Sequence, residues 1–180
     1  MDIKLKNTAN SYGLAVKLFH WIMGIMLLGM VVVGFSMSAI EDPLIKDKVY
    51  NFHKATGALL LCLVTLRLLW RLVNVKVFLP ADLPQWQKTA ATANINALYI
   101  FMFLMPISGF LMTILSGRSI DVYGLFTIDS FIQNATFASA FYKTHVVSAF
   151  IVVGLVGLHI LASLQHYFIR RDDVLKRMWF

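Results

Sequence analysis

All five histidines in this 180-residue chain lie within long apolar stretches, and only His166 lies at the very end of its stretch. The other four are His20, His53, His145 and His159. Ionisable side chains are costly inside a membrane-spanning helix, and those that occur there usually have a function. A neutral imidazole is a common ligand for transition metals. These four residues therefore predict metal or cofactor binding inside a membrane.

The four histidines form two pairs of matching depth. His20 and His159 lie near the membrane side on which the first helix begins and the last one ends, and we call them the inner pair. His53 and His145 lie near the opposite side and form the outer pair. His145 and His159 are 14 residues apart, which puts them within about 40° of one helix face and about 21 Å apart along it.

Two imidazoles on facing helices suit the axial ligation of a non-covalent b-type haem, and the two pairs predict two such haems. A zinc or di-iron site would need three or four converging ligands, usually with carboxylates, and none of the four apolar stretches contains Asp or Glu. Two other interpretations stay open: interhelical hydrogen bonding by the histidines, and a haem-free membrane protein such as a small transporter.

The elements that must hold these histidines are four helices. The chain is 59% hydrophobic and 14% charged, with a mean hydropathy of +0.73. Its apolar stretches cover residues 14–40, 50–73, 95–115 and 140–168, each long enough to span a bilayer. The sequence predicts an all-α integral membrane protein: a four-helix bundle that binds haem in its interior and forms a single domain over residues 1–180.

Charge predicts the orientation of the bundle. Eleven of the 16 Lys and Arg residues lie on the side of the two termini, which predicts cytoplasmic termini by the positive-inside rule. These cations lie at helix ends and not on a separate basic module, so nucleic-acid binding is not expected. The only cysteine, Cys62, excludes a disulfide framework and a C-x-x-C-H site for covalent haem.

Two arginines and the fifth histidine lie near the inner pair. Arg67 follows His53 by 14 residues and is expected at the depth of the inner pair. We predict that Arg67, together with Arg71 one turn further on, neutralises a propionate of the inner haem, with simple membrane anchoring as the alternative. For His166 we expect an interfacial position without a direct role. No catalytic residue can be assigned.

Seven short motifs carry a resemblance to a known family. They are Phe19-His20-Trp21 in the first helix, residues 51–57 (NFHKATG) and 66–72 (LRLLWRL) in the second, Leu98-Tyr99 and residues 105–109 (MPISG) in the third, and the triplets ending at His145 and His159 in the fourth. In this order and spacing the chain resembles the bacterial cytochrome b561 family and is similar to its superoxide oxidase type. The chain departs from many members near the start of the third helix, where it has Thr92 and Ile95 instead of histidine.

The resemblance implies a di-haem, multi-pass protein of the bacterial inner membrane, with the four paired histidines as axial ligands. It implies electron transfer between an outer-side donor, either superoxide or a redox protein, and membrane ubiquinone. An oxidoreductase of the superoxide:ubiquinone type is the leading expectation. The alternative is a haem-relay and membrane-anchor subunit of a respiratory dehydrogenase or hydrogenase-type complex. Lys54 and Lys143 flank the outer pair and could attract a small anion.

Overall fold

A computed structural model describes residues 4–180. Its helices are α1 (Leu14–Ser36), α2 (Pro43–Leu72), α3 (Gln85–Leu115) and α4 (Ala135–Gln165), and its strands are β1 (Ile120–Val122) and β2 (Phe126–Ile128). A 3₁₀ turn follows α1, a π-helical turn at His166–Arg170 extends α4, and a last 3₁₀ turn spans Lys176–Met178. All four helices are long and apolar enough to cross a membrane, so the predicted helical membrane fold is confirmed.

Three helices begin earlier than the apolar stretches that predicted them. The predicted starts were residues 50, 95 and 140, whereas α2, α3 and α4 begin at Pro43, Gln85 and Ala135. Capping explains two of these starts, because the Asp42 carboxylate accepts hydrogen bonds from the first turn of α2 and the Asn134 side chain does the same for α4. Apolar length measures only the hydrocarbon-spanning part of a helix, and polar turns extend it at either end.

The connection between α3 and α4 contains a short antiparallel hairpin that the sequence analysis did not predict. Strands β1 and β2 pair from Ile120 with Ile128 to Val122 with Phe126. Tyr123 and Gly124 both have positive φ, as a type I′ turn requires. Ile120 is buried against α2, and the Tyr123 hydroxyl lies 2.8 Å from the Thr56 hydroxyl on that helix. The hairpin is therefore fastened to α2 on the side of the outer pair.

The helices pack closely in the order α1, α2, α3, α4, and α3 and α4 make the tightest contact. Small buried side chains, Ser108 on α3 and Ser148 on α4, allow these two backbones to approach each other. Large apolar side chains such as Ile25, Phe150 and Leu161 remain exposed along the helices. Exposed apolar side chains on helices of this length are the surface expected to face lipid.

The two terminal segments and the α2–α3 connection meet at one end of the bundle. The Trp21 indole nitrogen donates to the Met178 carbonyl at 2.9 Å, and the rings of Trp21 and Trp179 pack edge to face. Arg177 donates to the Phe78 carbonyl at 2.9 Å. The C-terminal segment therefore folds back over the end of the bundle at which α1 begins, next to the inner pair.

Candidate functional site

The outer pair consists of two facing imidazoles from different helices. His53 lies in α2 and His145 in α4, each ten residues after the first residue of its helix (43 to 53 and 135 to 145). Their ring centres are 6.2 Å apart, with the ring planes at 85°. The two rings are partly buried. The structure thus brings together the two residues that the sequence paired by depth.

A backbone carbonyl from α3 orients one ring of the outer pair. His145 Nδ1 lies 2.8 Å from the Met105 carbonyl oxygen, which can only accept, so Nδ1 carries the proton. This bond leaves Nε2 unprotonated and able to bind a metal. His53 Nδ1 is also buried but has no hydrogen-bond partner among residues 4–180. The two ligands of this pair are therefore held differently.

Two glycines lie directly against the outer rings. A Cβ atom on Gly109 in α3 would lie 3.0 Å from Cε1 and Nδ1 of His145, and one on Gly34 in α1 would lie 3.2 Å from Cε1 of His53. Both distances are shorter than the 3.5–4.0 Å at which carbon atoms normally pack. Only a residue without a side chain lets each ring occupy its position. From the sequence, Gly109 was noted only as part of the motif at residues 105–109, and Gly34 was given no role.

The inner pair repeats the arrangement near the other end of the bundle. His20 in α1 and His159 in α4 have ring centres 5.9 Å apart, with the planes at 63°. The Trp21 ring packs edge to face against His20 at 5.4 Å. Because Trp21 also bonds to Met178, the C-terminal segment is in indirect contact with this pair. Every predicted pairing of the four histidines is present in the structure.

Arg67 lies near the inner pair, as expected from its spacing, and Arg71 lies one turn further along α2. The charge of Arg67 is close enough to act on both His20 and His159. The Nε atom of Arg67 donates to the Tyr99 hydroxyl on α3 at 3.3 Å, and the Arg71 guanidinium lies 4.7 Å from the centre of the Tyr99 ring. Tyr99 was noted in the sequence only as part of a motif.

His166 belongs to neither pair. Its Nδ1 atom donates to the Asp172 carboxylate at 2.6 Å, and Arg170 bridges Asp172 and Asp82. Burial raises the pKa of Asp172, but hydrogen bonds from His166, the Val174 amide and Arg170 outweigh it and hold the pKa below its usual value. This network ties the segment after α4 to the α2–α3 connection.

The pairs can hold a metal only with additional ligands that the protein does not supply. Among residues 4–180 no group of three or more His, Cys, Asp or Glu side chains converges on one point. A metal between two imidazoles at bond lengths of about 2 Å would separate the ring centres by about 6 Å, which is the separation in both pairs. A macrocycle that brings its own equatorial nitrogens satisfies this requirement, and a bare zinc ion does not.

An apolar cavity separates α1 from α4 at a depth between the two pairs. Its volume is about 190 Å³, and it is lined by Leu27, Leu28, Val31, Val152, Val153, Val156, Gly157 and Ile160. This volume is below the roughly 300–1,000 Å³ of a typical ligand pocket, so the facing imidazoles, and not this cavity, point to a haem.

The fold and these residues define a multi-pass helical membrane protein with facing imidazole pairs, and comparison with known proteins gives the family. The family model for prokaryotic cytochrome b561 matches residues 11–180. Cytochrome b561 homolog 2 of Escherichia coli (strain K12) is 34% identical over 183 residues, covering 96% of this chain and 93% of the relative. Cytochrome b561 homolog 1 of the same organism is 31% identical over 96 residues, about half of each chain (53% and 54%).

The chain belongs to the prokaryotic cytochrome b561 family. Members of this family are membrane electron-transfer proteins that bind b-type haem. The resemblance found in the sequence motifs is thereby confirmed.

Proposed function

We propose that this protein is a di-haem b-type cytochrome that carries electrons across the membrane between an outer-side donor and ubiquinone. The observation that supports the proposal is the presence of two imidazole pairs, at 5.9 Å and 6.2 Å, near opposite ends of one bundle. His20 and His159 would ligate the inner haem iron, and His53 and His145 the outer one. Each haem, when bound, supplies a reversible one-electron couple.

The protein residues orient and insulate this chain of cofactors. The Met105 carbonyl fixes the tautomer of His145, and Gly109 gives the ring its space. Arg67 and Arg71 supply positive charge for the carboxylates of the inner haem. Trp21, which packs against His20, is held in place by the C-terminal segment. All of these elements belong to one membrane-embedded domain.

Superoxide is the outer donor that this proposal favours. Lys143 is exposed two residues before His145, and the Lys54 ammonium, one residue after His53, donates to the Ser119 carbonyl at 3.0 Å. These cations near the outer pair attract a small anion. The reaction balances when two superoxide anions, one quinone and two protons give two dioxygen molecules and one quinol.

The orientation follows from charge. The positive-inside rule favours cytoplasmic termini, and we infer a position in the bacterial inner membrane from the resemblance to the family. The outer pair then faces the compartment outside the cytoplasm, and quinone exchanges electrons with the haem at the inner pair. The lipid bilayer surrounds the exposed apolar faces of the helices.

The test is quinol formation by the purified protein in lipid nanodiscs that contain ubiquinone. We expect superoxide to reduce the haems and then to produce quinol, and we expect the double variant Lys54→Gln, Lys143→Gln to be slower, with a weaker dependence on salt. Lys48→Gln, which removes a cation on the same side but away from the outer pair, is the matched control. Quinol formation that is independent of superoxide would refute this donor. Co-purification of a soluble dehydrogenase in mild detergent would instead favour the relay-subunit alternative.

A further inference from the structure

Tyr99 lies between two arginines of the neighbouring helix. Its hydroxyl accepts a hydrogen bond from Nε of Arg67 at 3.3 Å. Its ring lies 4.7 Å from the Arg71 guanidinium carbon and 5.8 Å from that of Arg67. One side chain on α3 therefore contacts both cations of α2, through two different parts of its structure.

Neither arginine has an acidic partner in the part of the chain that the structure describes. Arg170, by comparison, lies within 2.8 Å of Asp82 and 3.2 Å of Asp172. Arg67 and Arg71 form no such ion pair among residues 4–180, although both lie in a membrane-spanning helix. Arg67 is partly buried and Arg71 is exposed at the end of the helix, so the uncompensated charge is costly at Arg67 above all, and an anionic ligand would offset it.

The contact with Tyr99 leaves the ligand-binding edges of both arginines free. Tyr99 engages only Nε of Arg67, so its two terminal nitrogens remain available. The Arg71 guanidinium lies over the ring, a contact that uses none of its N–H donors. A carboxylate is bound most tightly by such a pair of parallel N–H groups. Tyr99 thus orients the cations without neutralising them.

Further positive charge lies at the same end of the bundle. Burial raises the pKa of the Tyr12 hydroxyl, and the charges of Arg71, Arg177 and Arg67 partly offset that rise. Tyr12 is therefore close to all three arginines, which come from α2 and from the C-terminal segment. The cluster is cationic and lies beside the inner pair, where the charge of Arg67 reaches His20 and His159.

We propose that Tyr99 is a positioning residue, which orients Arg67 and Arg71 as an anion-binding pair for the carboxylates of the haem at the inner pair. This inference rests on the proposed function, because it requires a haem between His20 and His159. It assigns Tyr99 a role through the arginines and not through contact with the iron.

The test uses redox titration of the full-length holoprotein, with the two haems resolved by their spectra. Arg67→Leu removes a cation, and we expect the equilibrium constant for reduction of the inner haem to fall about tenfold, or about 59 mV for one electron. Tyr99→Leu frees both arginines and should shift the inner haem in the same direction by a smaller factor. Tyr99→Phe keeps the stacking on Arg71 and should shift it least. Tyr142→Phe, at an exposed tyrosine on α4, is the control.

The possible failures are distinguishable. If Arg67→Leu shifts the inner haem and Tyr99→Leu does not, the positioning role is overturned. If neither variant shifts it, the arginines do not bind haem carboxylates. If instead the wild-type protein lacks a haem that depends on His20, as shown by the haem count of His20→Ala, the proposed function itself has failed. Retention of both haems in Tyr99→Phe confirms that the variant is folded.

Discussion

Replacing Gly109 by alanine should cost the protein its outer haem while leaving the helices intact. The new Cβ would lie 3.0 Å from two atoms of the His145 ring, so the ring must move by a few tenths of an ångström to restore normal contact. That movement would lengthen the 2.8 Å bond to the Met105 carbonyl and displace the ring from its ligating position. Because metal–ligand distances tolerate only about 0.2 Å of error, ligation by His145 should fail.

The assay is the number of b haems per chain, measured together with thermal unfolding followed by circular dichroism. Alanine is favoured over glycine inside a helix by about 0.5–1 kcal/mol, so Gly109→Ala should show about one haem without a loss of helix content. Gly154→Ala on α4, where a Cβ has no neighbour within 4 Å, should keep both haems. Two haems with an unchanged outer potential in Gly109→Ala would refute this reasoning.

Two further predictions concern the connections at either end of the bundle. Tyr123→Phe removes the hydrogen bond to Thr56, which contributes about 1 kcal/mol, so the hairpin should open about fivefold more often. Trypsin should then cleave faster after the exposed Arg118. An unchanged cleavage rate would show that this hydrogen bond does not hold the hairpin against α2. The pKa of Asp172 is lower in the folded protein than in the unfolded chain, where it is about 3.9. The ionised Asp172 network therefore stabilises the C-terminal segment fully at pH values above about 3.9. This stabilisation is lost as the pH falls through the lower folded-state pKa. Tryptophan fluorescence of Trp179 should report this acid transition, and Asp172→Asn should abolish it; a transition that persists in the variant would exclude Asp172 as its origin.

Much of the fold was predictable because hydrocarbon thickness dictates how long an apolar helix must be. The four spans and their order follow from this constraint alone. The start of α1 was right, whereas the other three helix starts were wrong by five to ten residues, since the turns outside the hydrocarbon are polar and depend on local caps such as Asp42. The β1–β2 hairpin was missed because its strands are three residues long, and Tyr123 is an unusual residue for a turn that favours Asn or Asp.

The histidine pairs were predictable from depth because a helix converts residue number into distance along its axis. The contacts that hold the histidine rings in place were not predictable, because they depend on packing between helices far apart in sequence. The Met105 carbonyl has no side-chain signature, and the motif around Pro106 and Gly109 was its only indication. The same holds for Tyr99, whose contacts with Arg67 and Arg71 depend on how α3 packs against α2.

The most direct test of this account is the haem content of the purified protein, taken from a dithionite-reduced minus oxidised spectrum and expressed per chain. The account predicts two b haems in the wild type, about one in His20→Ala and about one in His53→Ala. His166→Ala, which changes the histidine outside both pairs, should retain two. A wild type with fewer than two haems, or a His20→Ala or His53→Ala variant that keeps both, would contradict the assignment of one haem to each histidine pair.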